Sequence, residues 1–390
     1  MKISEFCLLN GTSLKKNEGE GGYLYLDTAN ITNGVVDSFQ KYSSYADLPS
    51  RARRKVANNS IVYSTVRPNQ QHFGIITNPP DNLIVSTGFC VIDVDEKIAN
   101  PRYVYYYLSQ DSITKKLHAI AEQATTAYPS IKAKDLGDLE IELPDLDRQN
   151  EVAKILSSLD EKIVLNSAIN DNLSAVAKQL TRRFFLETLE SPKKLVSLNE
   201  IATFENGYSY KSPELQESST AMATIGNFTR SGEFKSDGFK EIVIGKKIRS
   251  SQFLDEGDVV VAHTDVTQAA DIIGRAVQIL DLNGYNQAIF SCDLVKVIPK
   301  EGYSRSFIAA LLSSREFHAH CKGYTNGTTV LHLRKTALPE YVLTLPEDGV
   351  KVEELSRALE RITRLRSVLI KENRMLGFAR DTLLRKLMRG

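Results

Sequence analysis

The stretch Glu151–Phe185, EVAKILSSLDEKIVLNSAINDNLSAVAKQLTRRFF, decides the architecture. Within it Val152, Leu156, Leu159, Ile163, Asn166, Asn170, Leu173, Ala177, Leu180 and Phe184 keep an unbroken 4-3-4-3 spacing. Heptads sustained this long align one stripe of side chains and predict a coiled-coil seam. The spacing returns in Leu355, Leu359, Ile362, Arg366, Leu369, Asn373, Leu376, Arg380, Leu383 and Leu387, at a uniform offset of 203. Each helix, at about 40 residues, would be roughly 60 Å long. The chain supplies both seams, and the segment between them must return it to its start, so antiparallel pairing is expected. Full overlap brings residues 168 and 371 together and sets Asn166 opposite Asn373. Asn166, Asn170 and Asn373 are therefore the expected register residues, because a buried asparagine pair costs stability but admits one alignment. Asparagines facing water would set nothing.

Outside the helices the chain repeats itself. LNGTSLKK (9–16) returns as ENGYSYKS (205–212), NSIVYSTV (59–66) as GDVVVAHT (257–264), YYYLSQDS (105–112) as AALLSSRE (309–316), and LEIELP (139–144) as YVLTLP (341–346). Matching points lie 196 to 204 positions apart, the period of a domain and not of a solenoid unit. This divides the chain into globular segments 1–148 and 191–350 and helical segments 149–190 and 351–390. Each globular segment holds β-branched strands, Asn-Gly turns and a helix, residues 101–118 in the first and 303–320 in the second. The expected fold class is α+β: two duplicated globular domains separated by two long helices that pair as an antiparallel coiled coil.

At 390 residues and 42% hydrophobic content the chain can bury two cores. No apolar run is long enough for a membrane span, and the start lacks the flank and core of a signal peptide, so a cytoplasmic location is expected. Cys7, Cys90, Cys292 and Cys321 are scattered, as free thiols in a reducing compartment are. The net charge of +1 conceals a gradient: −2 over 1–148, −1 over 149–190, −2 over 191–350 and +6 over 351–390. No globular segment is basic enough to announce a nucleic-acid binder, which leaves only local patches.

Catalytic readings fail on their residues. Asn78-Pro79-Pro80-Asp81 approaches the Pro-Pro loop of amino-methyltransferases, but an aspartate at its fourth position cannot stack on a flipped base. No Gly-x4-Gly-Lys-Ser/Thr run cradles a nucleotide. Asp160, Glu161 and Lys162 lie on the coiled coil as ordinary solvated charges, and His318, His320 and Cys321 cannot all share one helix face. No cofactor and no metal are expected, and the chain reads as a binder.

Candidate contacts to nucleic acid are the paired loops with Thr12, Lys15 and Lys16 and with Tyr208, Tyr210 and Lys211. The basic run Arg51, Arg53, Arg54 and Lys55 joins them. So do His263, the loop with Thr125, Thr126, Tyr128, Lys132 and Lys134, and the loop with Asn326, Thr328, Thr329, Arg334 and Lys335. Each would serve equally as a solvated polar loop.

LEIELPDLDRQNEVAKILSSLDEKIVLN (139–166), the GDVVVA strand (257–262) and the order domain, helix, domain, helix resemble the specificity (S) subunit of type I restriction-modification systems. The second lead-in, LPEDGVKVEELSRAL (345–359), departs from that family's glutamine-containing pattern. The resemblance implies a non-catalytic subunit with two target recognition domains, each reading half of a split, asymmetric site in double-stranded DNA. It implies that the helices measure the gap and dock two methyltransferase (M) subunits, and that restriction and translocation (R) subunits join the complex. Methyl donor and ATP would then belong to partners. Arg361, Arg364, Lys371, Arg374, Arg385, Lys386 and Arg389 are expected at partner or backbone contacts. The competing readings are a stand-alone adenine methyltransferase built on Asn78-Pro79-Pro80-Asp81 and a coiled-coil scaffold with no DNA role.

Overall fold

Ser60–Ser64 is buried at every position because it lies between two cores. With the two-residue period of a strand, Ile61 and Tyr63 face a cluster with the helical Tyr103, Val104 and Leu108, while Val62 faces Leu83, Val85 and Val91. Val259–Ala262 repeats the device: Val259 and Val261 join one cluster, Val260 and Ala262 another. A strand covered on both faces is written as an unbroken apolar run, which is how both read in sequence. The computed structural model describes all residues except 17, 19–20, 124–127, 246, 268, 328–329 and 389–390. It divides the chain into a first unit, residues 1–161 with 377–390, and a second, residues 162–376.

In the first unit β1 (Cys7–Leu9), β2 (Tyr23–Leu26), β3 (Gln40–Tyr42), β4 (Ala52–Lys55), β5 (Ser60–Ser64), β6 (Phe73–Ile76), β7 (Leu83–Ser86) and β8 (Phe89–Val94) form two four-stranded sheets. Their orders are β1-β8-β5-β6 and β3-β2-β7-β4, antiparallel throughout except for the parallel pair β2–β7. In the second unit β9 (Ala202–Asn206), β10 (Thr220–Ala223), β11 (Lys240–Glu241), β12 (Phe253–Leu254), β13 (Val259–Ala262), β14 (Ala276–Gln278), β15 (Gln287–Phe290) and β16 (Leu294–Pro299) are ordered β9-β16-β13-β14 and β11-β10-β15-β12. Adding eight to each strand of the first unit yields the second, down to the one parallel pair, β10–β15.

The helices are α1 (Pro101–Leu108), α2 (Asp111–Glu122), α3 (Leu146–Leu189), α4 (Arg305–Leu312), α5 (Arg315–Gly323) and α6 (Gly349–Leu387), beside shorter turns. The single helix expected over 101–118 is two, because Gln110 is extended at φ −65° and ψ 140°. In the second unit the break falls at Ser314, whose Oγ accepts Phe317 N at 3.1 Å and caps α5. Asn100 and Ser304 cap α1 and α4 in the same way.

All twenty heptad positions named above are buried or half-buried, and none is exposed. In the first unit Val152 and Leu156 of α3 share a cluster with Leu384 of α6, and Arg380 meets Asp160 at 2.8 Å. In the second unit Asn166 Nδ2 donates to Asn373 Oδ1 at 2.9 Å and to Glu372 at 2.8 Å, and Arg366 Nε donates to Asn170 at 3.2 Å. Asn373 Nδ2 in turn donates to the Ile163 carbonyl (3.3 Å) and Ser167 Oγ (3.1 Å). Within each unit, later residues of α3 meet earlier residues of α6, so the two segments run antiparallel there.

Candidate nucleic-acid interface

In the first unit backbone pairing assembles the basic candidates. Leu14 is buried among Tyr23, Tyr25 and Leu48, which pins the loop 11–16 against β4. Leu14 N donates to Arg53 O at 2.7 Å and Lys55 N to Thr12 O at 3.1 Å, so the loop lies along the strand as an added edge. Thr12, Lys15, Lys16 and Arg51 stay exposed. A register shift between Ala52 and Arg54 marks a bulge, which lets adjacent arginines leave the strict in-out alternation.

The cluster is only partly free for a ligand. Arg53 sits 5.0 Å over the Tyr45 ring and donates to Ala52 O at 2.7 Å. Lys55 Nζ pairs with Glu18 at 2.8 Å. Arg54 is half-buried, burial lowers its pKa, and one terminal nitrogen has no hydrogen-bond partner among the described residues. Thr12, Lys15, Lys16 and Arg51 are the members that offer hydrogen bonds outward.

The loop after α2 reaches the end of β5. Val66 bridges Ser130, Arg67 N donates to Pro129 O at 2.9 Å, and the Arg67 guanidinium lies 5.0 Å from the centroid of the Tyr128 ring. Tyr128 is exposed, as are Lys132 and Lys134 at the short helix Ala133–Gly137. Thr125 and Thr126 lie outside the described residues. Sequence reasoning missed Arg67, which holds a left-handed φ of 47° before Pro68. An Arg-Pro pair directly after a strand was its only signal, and a positive φ at a non-glycine residue is found where surroundings impose it.

In the second unit Tyr208 leaves the candidate set. It is 1% exposed, its backbone pairs with Phe290 O at 2.7 Å and its hydroxyl donates to Glu214 at 2.7 Å, so it offers no face to a duplex. The cause is its neighbour: a Cβ on Gly207 would stand 2.0 Å from Ser291 O, so the chain crosses Ser291 in contact and Tyr208 turns inward. Tyr210 is half-buried, and Lys211 is exposed with its backbone N bound to Glu214.

The strand Leu331–Leu333 draws the remaining candidates together. It pairs with Thr264–Asp265, setting His332 opposite Thr264, and with Thr325–Asn326. His263 lies beneath, its carbonyl accepting Leu333 N at 2.9 Å. Burial, with His332 and Lys335 nearby, pushes its pKa below the usual histidine value and favours the neutral ring. Asn326 Oδ1 accepts a hydrogen bond from Arg334 Nη2 at 3.1 Å, and Asn326, Arg334 and Lys335 are exposed. Thr328 and Thr329 lie outside the described residues. His332 and Asp293, which accepts Thr264 Oγ1 at 3.0 Å, were not singled out in sequence because only the fold brings them beside His263.

Asn78-Pro79-Pro80-Asp81 is the turn joining β6 to β7, with Asn78 at φ 47° and Leu83 N bonded to Pro80 O at 2.9 Å. His320 contacts the Ala337 carbonyl at 2.8 Å, and Cys321 is buried, its thiol pushed up to about 12 by desolvation. Of the basic residues on α6, Lys371 pairs with Glu256 (2.5 Å) and Arg374 with Asp281 (3.1 Å), while Arg361, Arg364, Arg385 and Lys386 are exposed; Arg389 lies outside the described residues.

The family model of the type I restriction modification DNA specificity domain matches residues 1–175. Over 164 residues the chain is 31% identical to the HindI specificity subunit of Haemophilus influenzae, a type I restriction enzyme subunit; the match covers 42% of this chain and 36% of that relative. Over 402 residues it is 23% identical to the MjaVIII specificity subunit of Methanocaldococcus jannaschii, covering 96% and 87% of the two chains. The crystal structure of a type I restriction-modification S subunit from M. genitalium shares the fold, at 16% identity and a TM-score of 0.60, over 100% of this chain and 96% of that one. This chain is thus similar to type I restriction-modification specificity subunits, over residues 1–175 to the model of their DNA specificity domain and over nearly its whole length to one such subunit.

Proposed function

We propose that this chain is the non-catalytic DNA-reading subunit of a type I restriction-modification complex in the cytoplasm. Residues 1–148 and 191–350 act as duplicated target recognition domains, each reading one half of a bipartite, asymmetric duplex site. The segments 149–190 and 351–390 pair as an antiparallel coiled coil, measure the unread gap through the Asn166–Asn373 register, and dock two M subunits through which R subunits join. One observation carries the reading: the two units repeat one strand order while presenting different residues on matching loops, Thr12, Lys15 and Lys16 against Tyr210 and Lys211 on one pair, Tyr128 and Lys132 against Asn326 and Arg334 on the other. A common scaffold with unlike contact residues is what two readers of unlike half-sites require. Exposed apolar side chains on the helices, Val164, Leu165, Val176, Leu365, Val368 and Met375, supply surface for protein partners. Methyl donor and ATP are then handled by the partners, and this chain needs neither cofactor nor metal.

Co-purification with M subunits followed by sequencing of the methylated positions tests the reading. One bipartite, asymmetric motif with a constant gap is expected. Binding of the methyl donor by the isolated chain would favour the Asn78-Pro79-Pro80-Asp81 enzyme instead, and no DNA retention with M subunits present would leave only a scaffold.

A further inference from the structure

The two units differ most sharply in a crevice between their shorter helices and their portions of α3 and α6. In the first unit large side chains fill it. Phe73 packs edge-on to Tyr105 with centroids 6.3 Å apart, and Tyr105 lies 5.1 Å from Tyr106. The Tyr106 hydroxyl donates to Asp160 at 2.6 Å, and Arg380 closes the other side of Asp160 at 2.8 Å. A cavity of 420 Å³ remains beside them.

The matching positions in the second unit follow from the repeat. Tyr105 and Tyr106 correspond to Ala309 and Ala310, since α1 and α4 are offset by 204. Arg380 and Asp160 correspond to Ala177 and Thr363 at the helix offset of 203. Phe73, opposite Tyr63 in β5, corresponds to Ala276, opposite Val261 in β13. Three aromatic rings and a guanidinium have become four methyl groups. All four alanines and Thr363 line an open cavity of 1360 Å³. Such a floor forgoes the packing that its counterpart has.

Charge at the rim says what could replace it. Glu233 takes Lys178 at 2.5 Å and Arg366 at 3.0 Å. Arg182, Arg275, Arg315 and Lys322 then line the crevice against Glu316. We propose that the crevice of the second unit receives a segment of a partner protein carrying an aromatic side chain flanked by acidic residues. The ring covers the alanine floor, as Tyr105 and Tyr106 cover its counterpart, and the carboxylates meet the basic rim. A nucleic-acid backbone would satisfy the rim but brings no side chain to the floor. The proposal goes beyond DNA reading and does not depend on it.

The test presents the full chain to arrayed decapeptides holding one Tyr or Phe among acidic residues, with matched arrays carrying Ala for the aromatic or Lys for the acids. Retention is expected on the acidic aromatic set alone. Ala310→Tyr, which installs the ring present in the first unit, should weaken it at least about tenfold without lowering Tm. Should that variant not fold, Arg315→Glu with Lys322→Glu on the exposed rim should weaken it by about fivefold or more. The proposal fails if acidic aromatic peptides bind no better than their alanine forms or if the folded variant binds them equally. It also fails if an unrelated duplex displaces them, or if Ala310→Tyr instead abolishes self-association of the chain.

Discussion

Glu233 shows what one side chain does in the second unit. It reaches Lys178 and Ser174 on α3 and Arg366 on α6, and so ties the loop before β11 to both helices. Burial pushes its carboxyl up, but Lys178, Arg366 and Ser174 outweigh this and hold it below the usual carboxylate range. A carboxyl lowered on folding contributes stability above its unfolded pKa of about 4.3 and loses it as pH falls through the folded value. Glu233→Gln should therefore cost about 2 kcal/mol at neutral pH in urea unfolding. The gap to wild type should close as pH drops below about 4, and a constant gap would place the loss elsewhere. None of this was legible in GEFK, an unremarkable polar turn in sequence. Tyr208 is the opposite error, a tyrosine in a polar loop that local sequence exposes and a close backbone contact turns inward.

At the scale of elements, the long helices were the most legible parts of the chain. Their heptads repeat a short-range rule, and every seam position is buried or half-buried. Asn166 opposite Asn373 followed from matching midpoints and needed no side-chain detail. One added heptad lengthens each helix by about 10 Å, roughly three base pairs of duplex. Inserting one heptad in both helices should then lengthen the unread gap in the methylated motif with both half-sites unchanged; an unchanged gap would remove the measuring role. The break between α1 and α2 was not foreseen, because apolar periodicity runs through Ser109 and Gln110 while the backbone does not.

At the scale of the molecule, one two-sheet topology occurs twice, and on the proposed function each copy reads its half-site independently. Replacing residues 1–148 with the same segment of a relative should change one half of the methylated motif and leave the other as it was. Changes in both halves would contradict independent readers. The exchange should leave the crevice lined by Ala177, Ala276, Ala309 and Ala310 intact, since all four belong to the second unit.

Periodic features were decided by sequence alone: two heptad seams, an α+β repeat and strands written as unbroken apolar runs. Each follows from spacings of a few residues, and the repeat only required comparing the chain with itself. Tertiary structure alone decided the rest. The loop carrying Thr12 and Lys15 lies along the strand carrying Arg53 because Leu14 is buried beneath it, and Tyr128 meets Arg67 across some sixty residues of chain. Whether a polar side chain is spent on an internal partner or left for a ligand depends on which distant group arrives beside it. Folding brings those groups together, and no local pattern encodes their meeting.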